Sequence, residues 1–233
     1  MSLSNPTAST SPVTKYIEWK GGEGVFSYWD KEQEKRVNMP ERFYIIVLDQ
    51  LNTVRGYHEE SESGIFANEV HNLGKQELTV KAHKGGAIAQ GLWNDIKDKV
   101  TAKGGKYTKA VYAALITPKQ DKSFSVECVK LDLYGSSVSP WIDAKIYDDG
   151  SVIELSKNPE AQKKGKTVFY QPFIVKKEKR LDVLDRCIAM DKELQQYLSN
   201  RESDTVAEVA VSTLQVPAAT KVQSDNEVDD IPF

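Results

Sequence analysis

Short runs rich in aromatic and β-branched residues occupy the chain from residue 15 to residue 83, and the last of them shows a clear alternation of apolar and polar positions. A period of two is typical of β-strands, because successive side chains of a strand point to opposite faces. In one run Leu78, Val80 and Ala82 alternate with polar residues, so one face can enter a core while the other contacts water. The pattern predicts four strands, separated by Gly-Gly pairs or polar turns, over residues 16–19, 25–29, 42–48 and 77–82.

The period lengthens to that of an amphipathic helix in two later segments. A helix is predicted over residues 87–102, where one face is formed by Ile88, Leu92, Trp93, Ile96 and Val100. A second helix is predicted over residues 180–198, with its apolar stripe on Leu181, Leu184, Ile188, Leu194 and Leu198. We expect a polar linker from Ser199 onward.

Between the two helices the sequence returns to a β pattern. Segments 106–117 and 123–134 flank a polar loop at 118–122, which predicts a long hairpin. A short strand over 144–147, a basic loop through 163–166 and a strand over 167–175 complete the predicted β region.

Five or more short strands with one inserted helix predict a mainly β protein, a β-barrel of the OB type, with a second helix at the C-terminal end. In this interpretation residues 1–14 form a flexible N-terminal arm and residues 15–198 form the barrel domain. Residues 199–233 form a disordered linker and an acidic C-terminal tail.

The formal net charge of −3 conceals an uneven distribution of charge. Residues 201–233 contain two basic and seven acidic side chains, whereas the first 200 residues contain 29 basic and 27 acidic ones. An acidic segment with few large apolar groups cannot bury enough surface to offset the entropy lost on ordering, so we expect disorder in the tail. The tail is also expected to compete weakly with anionic ligands for the mildly basic body.

Basic residues and aromatic residues lie side by side at several points, often next to glycine pairs. Aromatic rings stack on bases of any sequence, while Lys and Arg neutralise the phosphates between them. The same lysines are compatible with solvated turns, and the same rings with a core. The predicted groove for single-stranded DNA is lined by Lys15, Trp19, Lys20, Tyr28, Trp29, Tyr57, Lys81, Lys84, Lys106, Tyr107, Lys109 and Tyr112.

Other large or sulfur-containing side chains are assigned to the interior. The two cysteines lack the CxxC spacing of a metal or redox site and are expected to be reduced. The residues predicted to be in the core are Phe43, Phe66, Phe124, Phe173, Cys128 and Cys187.

The sequence contains no arrangement typical of an enzyme. The histidines His58, His71 and His83 match no metal-binding spacing, and the common nucleophile and phosphate-binding motifs do not occur. We therefore expect no enzyme activity, no cofactor and no metal site. A second alternative function is a metal-dependent nuclease, in which the acidic pairs Asp148-Asp149 or Glu59-Glu60 hold magnesium.

The last nine residues combine an acidic run with a terminal Ile-Pro-Phe. Phe233 carries both an aromatic ring and a terminal carboxylate, so a partner needs only an apolar pocket beside an Arg or Lys to bind it. Pro232 keeps Ile231 extended, and the acidic side chains steer the segment towards basic surfaces. The predicted partner-binding residues are Asp225, Glu227, Asp229, Asp230, Ile231, Pro232 and Phe233.

This C-terminal tip resembles that of the single-stranded DNA-binding protein family of bacteria and phages. The resemblance implies an OB-fold core that coats single-stranded DNA and a tip that docks on polymerases, primases, helicases, nucleases and repair factors. The body is longer than the bacterial core, and the linker contains Ala, Val and Thr where the bacterial linker is rich in Gly and Gln. A phage-type protein is therefore the nearer likeness.

We expect a sequence-independent single-stranded DNA-binding protein that protects strands in replication, recombination or repair and recruits replication and recombination proteins through its tail. The alternative is a decoy or adaptor that occupies partner pockets with the tail and binds no DNA. No run approaches the roughly 18 apolar residues of a membrane span, and no signal peptide is visible. The expected location is the cytoplasm of a bacterial host or phage-infected cell, and a homodimer is compatible with the sequence.

Overall fold

A computed structural model describes residues 11–121 and 123–213 of the chain. The strands are β1 Lys15–Lys20, β2 Val25–Asp30, β3 Lys35–Asn38, β4 Arg42–His58, β5 Ser63–Ala67, β6 Leu78–Ala82, β7 Gly86–Gly91, β8 Gly105–Pro118, β9 Phe124–Tyr134, β10 Ser151–Lys157, β11 Gln162–Lys164, β12 Thr167–Phe169 and β13 Pro172–Lys179. The α-helices are α1 Trp93–Ala102, α2 Val138–Asp143 and α3 Leu181–Thr213. The expectation of a mainly β protein is confirmed.

Eleven strands form one sheet that branches at the long strand β4. The main path runs β3-β2-β1-β9-β8-β4-β5-β6-β7, and only the β1–β9 pair in it is parallel. On the edge opposite β8, the first part of β4 pairs with β10 and its last part pairs with β5. The branch divides the sheet into a large lobe, which includes β10 and β13, and a small lobe of β5, β6 and β7.

The large lobe curls around its own core. Phe26 on β2 contacts Trp19 on β1 and Phe43 on β4, with ring centroids 4.7 and 5.2 Å apart respectively. Strands β1, β9 and β8 separate β2 from β4 in the sheet, so the contact between Phe26 and Phe43 requires strong curvature. Trp141 of α2 is also buried in this core. The strand pairings between the described residues leave the curled sheet open.

The small lobe continues the same inner face and is covered by α1. Its core is formed by alternate residues of β4, β5 and β6, among them Val54, Ile65 and Val80, and by Ile96 and Val100 of the helix. The inner face of the sheet is therefore covered in both lobes: the large lobe covers its own inner face by curling, and α1 covers that of the small lobe.

The outer face is covered only in part, by α3. Val183, Cys187, Leu194 and Leu198 of this helix pack on alternate residues of β4, β8 and β9, which include Tyr112. Both cysteines are buried and unpaired, as expected. Among the helices of the described residues, none is both long and apolar enough to cross a membrane.

Several predicted elements differ from the structure. The helix predicted over 87–102 begins only at Trp93, because residues 87–91 belong to β7, which pairs with β6. Residues 144–147 are not a strand, and the strand predicted over 167–175 is two strands separated by Tyr170 and Gln171. Helix α3 continues to Thr213, past the predicted linker boundary at Ser199.

The phenylalanines predicted to be in the core divide into three cases. Phe43 is buried, while Phe66 and Phe124 are half-buried. The assignment of Phe173 to the core is wrong, because 49% of this residue is exposed on β13. The last pair of β10 with β13, Lys157 with Pro172, lies directly beside it, near the end of the sheet.

Candidate nucleic-acid interface

The strand registers show which side chains share the outer face beyond α3. Direct partners in a sheet point to the same side, and the side alternates along each strand. Glu18 on β1 is the direct strand partner of Asp132 on β9. Asp132 is in turn the strand partner of Ala110 on β8, which lies in the outer core under α3. The same parity carries the outer face across the β4–β8 pair to Arg55 and Lys106, which are partners.

The same alternation, applied to every strand pair from β3 to β6, defines one continuous surface on the outer side of the sheet. We name this surface the cross-sheet face. On the large lobe it includes Trp29 and Arg36, which are partners on β2 and β3. On the small lobe it includes Phe66 and Lys81, which are partners on β5 and β6. The aromatic and basic members of the cross-sheet face are Tyr16, Trp29, Arg36, Arg55, Tyr57, Phe66, Lys81, Lys106 and Tyr134.

Three aromatic rings on this face are open to solvent. Trp29 and Tyr57 are each 56% exposed, and Tyr16 is 47% exposed. Large aromatic side chains are usually buried in soluble proteins, so three exposed rings on one sheet face suggest a surface that binds a flat apolar group.

A cleft of about 550 Å³ lies in the middle of the cross-sheet face, where the two lobes meet. Arg55, Tyr57 and Lys106 line it from β4 and β8, and Tyr134 lines it from β9. Glu18 and Asp132 are also at its wall, so the cleft contains charges of both signs. Glu18 forms an ion pair with Arg36 at 3.0 Å, which joins the cleft to the outer strands β2 and β3.

The backbone at this cleft depends on glycine. Gly104 has a φ of +88°, and a Cβ at this position would lie 2.2 Å from the carbonyl oxygen of Tyr57. A Cβ on Gly56 would lie 2.2 Å from the carbonyl oxygen of Gly104. The glycine pair at 104–105 therefore allows two protein segments to approach each other next to Tyr57.

A buried ion network borders the cleft on the side of α3. Glu69, in the segment between β5 and β6, accepts hydrogen bonds from Lys130 Nζ at 2.6 Å and from Tyr112 Oη at 2.7 Å. Arg201 of α3 lies 3.3 Å from the same carboxylate. Arg55 joins the network through Asp132, to which its Nε donates a hydrogen bond at 3.2 Å. The network thus fixes Arg55, whose guanidinium also lines the cleft.

The pKa values in this network reflect burial and charge. Burial alone would raise the pKa of Glu69, but the charges of Lys130 and Arg201, with the hydrogen bonds from Lys130 and Tyr112, lower it below its ordinary value. The pKa of the Tyr112 hydroxyl is raised strongly, first by burial and then by the charge of Glu69. Glu69 is therefore a carboxylate, and Tyr112 a neutral hydrogen-bond donor, throughout the physiological range.

The far end of the face, on the small lobe, contains a second aromatic feature. The rings of Phe66 and His83 are stacked, with centroids 4.5 Å apart and an angle of 28° between their planes. Lys81 precedes His83 by two residues and is exposed on the same side. Aromatic and basic side chains like those that line the cleft therefore continue across β5 and β6.

Four of the predicted DNA-contacting residues, Trp29, Tyr57, Lys81 and Lys106, lie on the cross-sheet face. Lys84 is exposed just beyond β6, where its backbone N–H donates to Ser63 Oγ. Lys20 shares the parity of Glu18, but it is at the turn after β1 and pairs with Glu23 at 3.4 Å.

Two predicted stacking residues are buried, and their assignment to the groove must be corrected. Trp19 is 4% exposed in the inner core, where its Nε1 donates to the carbonyl oxygen of Tyr170 at 3.2 Å. Tyr112 is 1% exposed in the outer core beneath α3. Neither ring has a free face on which a base can stack.

The remaining predicted residues point to the inner side of the sheet. Lys15 pairs with Glu127 and lies 5.5 Å from the ring of Tyr28, which packs on the inner core. Tyr107 Oη and Lys109 Nζ donate to Asn52 Oδ1 at 2.8 and 3.3 Å. Burial lowers the pKa of Lys109, although the charge of Asp49 acts in the opposite direction. Lys15, Tyr28, Tyr107 and Lys109 therefore do not lie on the cross-sheet face.

Sequence reasoning missed Tyr16, Arg36, Arg55, Phe66, His83 and Tyr134. A signal for Tyr16 is available, because it alternates with Ile17 and Trp19, so burial of those two residues exposes Tyr16. The predicted partner-binding residues Asp225, Glu227, Asp229, Asp230, Ile231, Pro232 and Phe233 lie outside the described residues.

The acidic pair at 148–149 has a structural partner. Asp149 accepts a hydrogen bond from Lys176 Nζ at 2.6 Å, and this bond, with those from Ser151, lowers the pKa of Asp149. Within residues 11–121 and 123–213, no group of three or more His, Cys, Asp or Glu side chains is arranged to hold a metal ion.

Comparisons with known proteins give no relative for this chain. No protein-family model matches it, and no curated protein and no solved structure is significantly similar to it.

Proposed function

We propose that this protein binds single-stranded DNA on the cross-sheet face without sequence preference. The observation that carries the proposal is the alignment of exposed aromatic rings and basic side chains on the part of the outer sheet face that α3 leaves uncovered. Stacking on Trp29, Tyr57 and Tyr16 would contribute about 1–3 kcal/mol per base and tolerate any base. Arg36, Lys81 and Lys106 would neutralise phosphates between the stacked bases.

The dimensions of the face support a single strand that crosses the β-strands. The face extends over eight strands, from β3 to β6, which at about 4.8 Å between neighbours gives roughly 34 Å along the sheet surface. Single-strand sites on OB-type folds hold about 4–16 nucleotides. A duplex presents no unstacked bases to the aromatic rings, so it would lose the stacking contribution.

The proposal extends to the fold and to the cellular role. The curled large lobe with its filled inner core supports a barrel of the OB type, and the contact of Tyr170 N–H with Gly21 brings the segment before β13 to the β1–β2 turn. Coating of strands in replication, recombination or repair, recruitment of proteins through Ile231, Pro232 and Phe233, and a cytoplasmic location rest on the resemblance of the C-terminal tip.

The direct test is a titration with poly-dT at several salt concentrations, followed by tryptophan fluorescence. Trp19 and Trp141 are buried and Trp93 is half-buried, so the exposed Trp29 should account for most of the quenching. Trp29→Phe should keep affinity and lose the quenching, whereas Trp29→Ala should weaken binding by about 1–3 kcal/mol. Tyr147→Ala is the matched control, because Tyr147 is 59% exposed but lies outside the cross-sheet face.

Equal affinity for duplex and single strands, or unchanged binding by Trp29→Ala, would contradict the proposal. Deletion of residues 225–233 tests the decoy alternative. If the body binds oligonucleotides without the tail, the DNA-binding proposal is supported. If neither form binds DNA but the full chain captures replication proteins, the decoy is the better description.

A further inference from the structure

A small β-ribbon stands apart from the main sheet. Strands β11 and β12 pair only with each other among the described residues, through Lys164 with Thr167 and two further pairs. Gly165 in the two-residue turn has a φ of +61°, the conformation that such tight hairpins require. A two-stranded ribbon without a third strand is marginally stable in water, so its conformation can adapt to a ligand.

The tip of this ribbon is strongly basic. Lys163, Lys164 and Lys166 are all exposed, and no carboxylate of the described residues lies within ion-pair distance of any of them. Lys15 and Lys176, in contrast, each pair with an acidic side chain. Three lysines within four residues, on both faces of the ribbon and in its turn, attract an anionic ligand.

The base of the ribbon is fixed at the end of the sheet where β1 and β9 terminate. Tyr170, directly after β12, accepts hydrogen bonds at its carbonyl oxygen from Trp19 Nε1 and from Ser136 Oγ, both at 3.2 Å. Its N–H donates to Gly21 at 2.8 Å, and Lys157 Nζ lies 3.6 Å from the centre of its ring. The Trp19 ring itself points to the inner side of the sheet, but Tyr134, two residues before Ser136, and Glu18 line the cleft, so the ribbon and the cleft lie at the same end of β1 and β9.

We propose that the β11–β12 ribbon is a second binding site for the sugar–phosphate backbone of the single strand that occupies the cross-sheet face. The inference rests on the proposed function and adds a contact that the face alone does not provide. The ribbon supplies three flexible point charges and one exposed apolar residue, Val168, and none of its exposed side chains is aromatic. This chemistry fits phosphates rather than bases. The ribbon therefore adds affinity without sequence preference.

The test compares two triple variants with the same change in net charge. In one, Lys163, Lys164 and Lys166 are changed to Gln; in the control, the exposed Lys75, Lys97 and Lys99 are changed to Gln at positions off the cross-sheet face. Each phosphate contact to a single strand contributes about 0.7 to the slope of log affinity against log salt. The ribbon variant should lower this slope by about 2 and weaken poly-dT binding at 0.1 M salt by up to roughly 100-fold. The control should change the slope much less.

The outcomes separate this inference from the proposed function. If the ribbon variant binds as the native protein does while Trp29→Ala is impaired, the ribbon proposal is overturned and the cross-sheet face is retained. If both triple variants weaken binding equally, the effect is one of net charge and the ribbon proposal is again overturned. If the native protein binds no single strand, the proposed function itself is wrong.

A second measurement locates the contact. Val168→Cys gives a single accessible thiol, because Cys128 and Cys187 are buried and burial raises the pKa of both, that of Cys128 to about 11. A dye on the introduced thiol should change its emission when poly-dT is added, and the same dye on a Lys99→Cys variant should not. Equal responses at both positions would overturn the proposal. All the residues changed in the two triple variants and the two cysteine variants are exposed and lie outside the three hydrophobic cores, so these variants should fold normally.

Discussion

The two halves of the outer sheet face share strands β4, β8 and β9 but have opposite chemistry. Where α3 covers β4, β8 and β9, their outward residues are mostly aliphatic, such as Ile46 and Ala114. Further along the same strands, at the same parity, the outward residues are Arg55, Lys106 and Tyr134. A face that only needed to be soluble would not require exposed aromatic rings, so the difference supports the proposal that the second half binds a ligand.

The boundary between the two halves is the buried ion network of Glu69. Lys130 and Tyr112 belong to the covered half, while Arg55 reaches the open half. The network connects an apolar core to a charged surface and pairs the buried charges of Lys130 and Glu69. Four predictions test whether the covered half serves stability and the open half serves binding.

The largest expected effect is on stability, at the boundary itself. Glu69→Gln keeps the shape of the side chain but leaves Lys130, which is 2% exposed, with Asp132 as its only carboxylate partner among the described residues. Breaking a buried ion pair on one side costs about 3–5 kcal/mol of unfolding free energy, measured by urea denaturation. Glu23→Gln, which removes an exposed pair with Lys20, should cost less than about 1 kcal/mol.

The loss of stability in Glu69→Gln should also depend on pH in a defined direction. Because the pKa of Glu69 is lowered in the folded protein, its stabilising contribution is present above the ordinary value of about 4.5 and is lost as pH falls through the folded value. The difference in stability between the native protein and Glu69→Gln should therefore be full at pH 7 and shrink below about pH 4.5. A difference that does not depend on pH would show that packing, not charge, is responsible.

The second prediction concerns the covered half. Leu194 is fully buried between α3 and the sheet, so Leu194→Ala should lower the free energy of unfolding by about 2–5 kcal/mol. Under conditions in which the variant is folded, its affinity for poly-dT should match that of the native protein. A large loss of affinity in the folded variant would mean that α3 takes part in binding and that the division into two halves is wrong.

The sequence predicts the strands that are apolar runs bounded by polar loops, and it fails where polar residues lie inside a strand. The hairpin of β8 and β9 is predicted with nearly correct bounds, because a polar loop separates two long apolar runs. Strand β4 is predicted to end at Leu48, but it continues for ten residues through Asp49, Gln50 and Asn52. Their side chains are hydrogen-bonded to distant groups, such as Trp141 Nε1 for Gln50, and a local pattern does not show such partners.

The candidate site is predicted only in part, because alternation does not reveal which face of a strand is open. The neighbours Lys20 and Gly21 suggest an exposed Trp19, yet its ring lies in the inner core, and Tyr16 is exposed instead. The assignment depends on the register of β1 with β9 and on the curvature that brings Phe26 to Phe43. Both are long-range properties that single-sequence reasoning cannot derive.

The third prediction concerns the aromatic side chains of the open half. Tyr57→Ala and Tyr16→Ala should each weaken poly-dT binding by about 1–3 kcal/mol, because each removes one stacking surface. The free energy of unfolding should change by no more than about 0.5 kcal/mol, since both rings are about half exposed. An opposite result, with stability lost and binding kept, would assign these rings to packing.

The smallest expected effect comes from single charges of the open half. Lys106 lines the cleft and has no ion-pair partner among the described residues, so Lys106→Gln should lower the salt slope of poly-dT binding by about 0.7, the contribution of one phosphate. Lys97→Gln, an exposed charge on α1 at the inner side of the sheet, should leave the slope unchanged. Arg36→Gln should have a smaller effect than Lys106→Gln, because Arg36 is already paired with Glu18, which competes with a phosphate for its guanidinium. The order Lys106, Arg36, Lys97 in these slopes would show that the position of a charge on the cross-sheet face, and not the net charge of the protein, determines binding.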